Sequence, residues 1–120
     1  LGQHDLPIAE ARRLLRPGAI IGRSSHSVEQ AKAAANEGAD YISIGPIFET
    51  RTKDAGPAVG PEMIRQVTAA VSAPVVPVGG INAGNLAEVI AAGGERAAVC
   101  SAVCGAESPK DAAAAMKAAF

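Results

Sequence analysis

Gly38-Ala39-Asp40-Tyr41-Ile42-Ser43-Ile44-Gly45-Pro46 is the stretch on which the fold turns. Gly38 stops the helical pattern before it, and Tyr41 to Gly45 is a short β-prone run. Gly45-Pro46 then breaks into a long polar loop reaching about Val59. A helix that stops at glycine, a short strand and a loop leading to another helix form one βα unit, and the rest of the chain repeats it.

Upstream, Ser27 stands three residues before Gln30, the spacing of a capping box, and opens a helix with Val28, Ala31, Ala34 and Ala35 on one side. Before it, Ala19 to Gly22 reads as a strand and Ile8 to Leu15 as a helix ended by Arg16-Pro17-Gly18. A first strand is hinted at, ending near Leu1. Downstream, a helix runs from about Pro61 to Ala70, then a strand from Pro74 to Val78 with a turn at Gly79-Gly80-Ile81-Asn82. Pro77 is awkward there, because it brings no amide to a ladder. A helix from about Ala83 to Ala92, a last strand from Ala97 to Cys100 and a closing helix from Pro109 to Phe120 complete the pattern. Residues 1–120 read as a single unit, either a doubly wound sheet or half of an eight-stranded barrel; the pattern alone fits both.

Composition narrows the function. With 48% hydrophobic residues the chain has the material for a core, and with no Trp, one Tyr and two Phe that core is aliphatic. A formal charge of -1, with no Lys/Arg cluster set among aromatics, leaves no electrostatic footprint for nucleic acid. No apolar run approaches the roughly 20 residues that span a bilayer, and Leu1-Gly2-Gln3-His4-Asp5 carries neither a charged nor an apolar targeting segment. The expectation is a cytoplasmic protein without nucleic-acid or membrane partners. Cys100 and Cys104 have no His or further Cys nearby to complete a metal site, so both are expected to be small buried thiols. Leu1 in place of an initiating Met suggests a chain that begins partway through a longer protein or follows processing.

In parallel α/β folds the loops after the strands gather at one face, and ligands bind there. Val78-Gly79-Gly80-Ile81 and Cys100-Ser101-Ala102 follow two neighbouring strands, where glycine amides and a helix start suit a phosphate. Thr50-Arg51-Thr52-Lys53, in the longest loop, offers two hydroxyls and an ammonium to phosphate oxygens, or is a solvated polar loop. Asp5 is either a Mg2+ ligand or a helix cap. Ser24 and Ser25 either bind phosphate or start a turn, and His26 reads as a structural hydrogen-bonding residue rather than a general base.

Taken in order, Gly2-Gln3-His4-Asp5-Leu6-Pro7, Ile20-Ile21-Gly22-Arg23-Ser24-Ser25-His26-Ser27, Gly38 through Lys53, Pro77-Val78-Gly79-Gly80-Ile81 and Cys100-Ser101-Ala102 resemble the thiamine-phosphate synthase family along essentially the whole chain. The resemblance implies the C-terminal half of a TIM (β/α)8 barrel. It implies a transferase that joins hydroxymethylpyrimidine diphosphate to thiazole phosphate, releasing pyrophosphate with Mg2+ assisting. Asp5 would then be a Mg2+ ligand, and Ser24 and Lys53 would contact the diphosphate as the catalytic pair. Thr50, Thr52, the Gly80 amide and the backbone of Cys100 and Ser101 would hold the thiazole phosphate. The family mechanism is dissociative, which suits a chain with no activated nucleophile.

His4, Arg23 and Glu49 depart from the family's usual Glu, apolar residue and Pro, and Glu49 beside a phosphate loop would repel anions unless it turned away. A family barrel has about 200 residues. The half not represented here would carry a Gln-x-Arg-x-Lys segment and an Asn-Asp pair with a second Mg2+ ligand. The open edges of a half barrel invite that half or a second copy as partner. Two other readings share the residues: a thiazole tautomerase of the same fold, and a non-catalytic phosphate-binding half barrel.

Overall fold

The computed structural model describes residues 1–52 and 56–120. The elements are α1 (Ile8–Leu14), β1 (Gly22–Ser25), α2 (Val28–Asn36), β2 (Tyr41–Ile44), α3 (Glu62–Ala70), β3 (Val75–Pro77), α4 (Leu86–Ala91), α5 (Ser101–Cys104) and α6 (Pro109–Lys117). The strands form one parallel sheet in the order β1-β2-β3, so each crossover passes through a helix, as parallel pairing requires.

Register sorts the side chains. Ile42 pairs with Val75 and Ile44 with Pro77, while Ser24, Ser43 and Val76 share the alternate rows. Because strand side chains alternate, Ile42 and Ile44 fall on the face opposite Ser24 and Ser43, while Ser25 stands level with Ile44. Ile42 and Ile44 are fully buried with Ala31 and Ala34 of α2, Ile64 and Val67 of α3, and Leu86 and Val89 of α4. The alanines of α2 let that helix sit close to the sheet. The serine face is left for other work.

Local chemistry sets the helix ends. The Ser27 hydroxyl accepts from the Gln30 amide at 3.2 Å, and the Gln30 side chain accepts in return from the His26 amide at 2.7 Å. The capping spacing thus holds, with the return bond one residue earlier than in the usual box. Ser108 caps α6 through the Asp111 amide.

Several boundaries differ from the sequence reading. β1 begins at Gly22, where the expected strand ended, because the Asp40 carboxylate takes the Ile21 amide at 2.6 Å and Ile20 is exposed. Leu1 belongs to no strand, yet its amino group donates to the Gly22 carbonyl and its carbonyl accepts from the Ser24 amide, so it flanks β1 as a paired strand would. The expected strand from Ala97 to Cys100 shrinks to one bridge between Val78 and Ala98. The Ala98 amide reaches the Pro77 carbonyl at 2.8 Å, but the preceding step of that ladder calls on an amide that Pro77 lacks. α4 starts at Leu86 rather than Ala83, since the side chains of Asn82 and Asn85 hold residues 82–85 in a turn. α6 stops at Lys117, short of Phe120. α5 was not anticipated, and Cys100 and Cys104 are exposed rather than buried.

At the lower end of the sheet Asp40 is a staple. Its Oδ2 accepts from the Ile21 amide and from Arg12 Nη2 at 2.9 Å, while Arg12 also donates to the carbonyls of Gly38 and Ala19. One ion pair therefore ties α1 to the start of β1 and to the loop before β2. The Ile21 amide, and then Arg12, hold the Asp40 carboxyl below its ordinary value of 3.8. A carboxyl depressed in the folded state contributes stability that is complete above its unfolded value and is lost as pH falls through the folded one. Asp40→Asn is expected to lower the melting temperature at neutral pH, with the gap to the parent closing as pH falls below the carboxyl's ordinary value. Thermal melts across that range check it, and a gap independent of pH would refute the assignment.

Candidate functional site

Above the C-terminal ends of the strands lies a cavity of about 200 Å3. Ser24, Ser25 and His26 come to it from the end of β1, and Ser43, Gly45 and Pro46 from β2. Thr50 and Thr52 come from the long loop, Val78 to Gly80 from the turn after β3, and Ala98, Cys100 and Ser101 from the final segment.

Backbone packing between two loops builds the wall. The Ile47 amide donates to the Val78 carbonyl at 2.9 Å and the Phe48 amide to the Gly79 carbonyl at 3.0 Å, so the loop after β2 runs against the turn after β3. This approach leaves no room for side chains. A Cβ on Gly45 would lie 2.2 Å from the Val78 oxygen, and one on Gly80 2.4 Å from the Glu49 oxygen. Gly80 also has φ +65°, which L side chains rarely adopt.

The Gly80 carbonyl accepts from the side chains of Asn82 and Asn85 at 3.2 and 3.0 Å. Among the described residues the amides of Gly80 and Ser101 meet no protein acceptor. α5 is a single turn, so its individual N–H groups matter here rather than an accumulated dipole. Thr52 donates its amide to Thr50 Oγ1 at 3.2 Å, which keeps the two hydroxyls together. The described part of the wall carries no Lys, Arg, Asp or Glu.

Of the residues expected from sequence, Ser24, Thr50, Thr52, Gly80, Cys100 and Ser101 meet in this cavity. Lys53 lies outside the described residues. Asp5 does not line the cavity: it is exposed, and its Oδ2 accepts from the Gly2 amide at 2.5 Å. It does not cap α1 either, whose cap position is Pro7. The Asp5 loop is tied to β1, because the Gln3 side chain donates to the Ser24 carbonyl and Arg23 to the Leu6 carbonyl at 3.0 Å. Arg23 thus braces a loop. Glu49 is exposed and absent from the wall.

Sequence reading missed Ser43, whose only signal was a polar residue inside an apolar strand. Ser25 is buried with its hydroxyl unpartnered, at a cost of about 1–3 kcal/mol. Nδ1 of His26 lies 2.6 Å from the Gly45 carbonyl, matching its expected structural bond.

The family described as Thiamine monophosphate synthase matches residues 1–103. The chain belongs to that family. It is 53% identical over 106 residues to a thiamine-phosphate synthase of Methanoculleus marisnigri, covering 88% of this chain and 50% of that protein. With a thiamine-phosphate synthase of Anaeromyxobacter dehalogenans the identity is 48%, over 100% of this chain and 54% of the relative. Thiamine phosphate pyrophosphorylase from Pyrococcus furiosus superposes with a TM-score of 0.88 at 39% identity, over 98% of this chain and 56% of that one. The chain is therefore a TIM-barrel fragment of alternating βα units, and it spans about half the length of these curated synthase relatives. Among the described residues no helix is long and apolar enough to cross a membrane.

Because Gly80 combines a left-handed backbone with a blocked Cβ position, Gly80→Ala is expected to cost about 1–3 kcal/mol. Urea denaturation of the two proteins measures it. Equal midpoints would mean that the loops are not packed as described.

Proposed function

We propose that this chain holds the thiazole-phosphate side of a thiamine-phosphate synthase, which joins hydroxymethylpyrimidine diphosphate to thiazole phosphate and releases pyrophosphate. The observation that carries this reading is the convergence of Ser24, Thr50, Thr52, Gly80, Cys100 and Ser101 on one small cavity. Hydroxyls and unpartnered amides are the donor set that a phosphate takes, and Pro46, Val78 and Ala98 offer an apolar wall to a ring.

In this reading the Thr50 and Thr52 hydroxyls and the amides of Gly80 and Ser101 hold the phosphate, so that the ring is fixed against the apolar wall. Ser24, on the β1 side, and Lys53 engage the diphosphate partner. The carbon–oxygen bond to diphosphate breaks first, the leaving group departing with the electron pair as pyrophosphate, and the thiazole nitrogen then bonds to the cationic pyrimidine methylene carbon, as the dissociative family mechanism implies. No protein nucleophile takes part. The chain contributes position, and donors aimed at oxygens that gain charge.

Mg2+ would neutralise the departing oxygens. It is commonly held by one or two carboxylates together with substrate phosphates and water. Asp5 suits that part, being an exposed carboxylate in a loop braced against β1. Among the described residues no group of three or more His, Cys, Asp or Glu stands ready to enclose a metal. The remaining ligands would come from substrate and from the half of the barrel that this chain does not span, or from a second copy.

Titration of thiazole phosphate into the protein is expected to give saturable binding, weakened roughly tenfold by Thr50→Ala or Thr52→Ala. Unchanged affinity in both variants would remove the phosphate from this loop. In the complete enzyme, Asp5→Ala is expected to raise the Mg2+ concentration needed for coupling, and Lys53→Ala to raise the diphosphate requirement. Steady-state rates at limiting metal and limiting substrate decide both.

A further inference from the structure

His26 is the residue of the cavity that the reading above leaves without a task. Among the described wall residues it is the one side chain that can become positive. Its main-chain amide is taken by the Gln30 side chain and its Nδ1 sits 2.6 Å from the Gly45 carbonyl. A carbonyl oxygen only accepts, so Nδ1 carries the proton and the neutral ring keeps its lone pair on Nε2. The Gly45 contact selects the neutral tautomer, and Nε2 meets no protein partner among the described residues.

We infer that His26 is a ligand-binding residue that takes up a proton when a phosphate dianion enters this cavity. This rests on the phosphate reading of the site. The proton comes from buffer to Nε2, no other bond changes, and the imidazolium then donates from Nε2 to a phosphate oxygen while Nδ1–H stays on Gly45. A charge-assisted bond of this kind is about twice as strong as a neutral one.

Two further observations support a polar occupant at this wall. Ser25, the preceding residue, is among those lining the cavity and has a buried hydroxyl with no partner. The register sets Ser24 beside Ser43, both on the wall. The charged and titratable groups around His26 leave the role to it. Glu29, at the start of α2, is exposed off the wall, its carboxyl held below its ordinary value by its own amide and by Ser27. Glu49 is exposed off the wall, and Cys100, the other titratable side chain on it, can supply only negative charge.

The experiment is calorimetric titration of thiazole phosphate, with inorganic pyrophosphate as a second arm, in two buffers of different ionisation enthalpy. It is run at about pH 7.5, where a phosphate ester is a dianion because its second ionisation lies at about 6. The expected result is net proton uptake on binding thiazole phosphate, its disappearance in His26→Asn, and a roughly tenfold weaker affinity in that variant. The asparagine amide nitrogen takes the place of Nδ1 and can still donate to Gly45, while nothing replaces Nε2. Should the variant not fold, nitrogen-15 spectra of the parent histidine decide, with Nε2 expected to move from the unprotonated to the protonated range on saturation.

Binding without proton uptake, or an unmoved Nε2, overturns the inference and leaves the phosphate site standing. Uptake with pyrophosphate alone overturns it as a thiazole-phosphate contact. Absence of any binding overturns both.

Discussion

The site depends on main chain meeting main chain where the loop after β2 passes the turn after β3. Two backbone hydrogen bonds, from Ile47 to Val78 and from Phe48 to Gly79, pull the loops together. Glycine at 45, 79 and 80 is what allows them to close, since a methyl group at any of these would meet main-chain atoms. Everything the cavity offers follows. With the loops this close, the Asn82 and Asn85 side-chain amides hold the Gly80 carbonyl, and the Gly80 amide meets no acceptor among the described residues. The same closure brings the Thr50–Thr52 segment over the strand ends. A cavity walled by main chain keeps its shape only if that main chain is held, and here loop packing holds it.

Alternation along three short strands divides the labour of the molecule. One face sends Ile42 and Ile44 into an aliphatic core roofed by α2, α3 and α4, and the other presents Ser24 and Ser43 to the cavity. A one-residue slip in register would exchange the two and lose both core and site, so burial of the isoleucines also aims the serines. Asp40 and Arg12 secure the register at the opposite end of the sheet, away from the chemistry. The ion pair and the candidate site thus sit at opposite ends of the same strands.

Much of this was legible in the residue order. Glycine stops, the Ser27–Gln30 cap and the short β-prone runs place helices and strands because each signal acts within a few residues. The ordered motifs at the strand ends point to the family, and most of the named candidates do share one cavity. Misplaced elements trace to partners distant in sequence. β1 starts later than its apolar letters suggest because a carboxylate 19 residues away captures the Ile21 amide. The last strand withers because Pro77, on its neighbour, has no amide to lend.

The sequence by itself determined the βα repeat, the helix caps and the glycine-rich turns, because these rest on backbone preferences and bonds between near neighbours. Tertiary structure alone decided which strand ends meet and that Asp5 stands apart from the cavity on a loop tied to β1. It also decided that both cysteines reach solvent and that His26 holds its proton on Nδ1. Those outcomes depend on where a group 19 or more residues away comes to rest, as Gly45 does beside His26, and no local pattern encodes such a position.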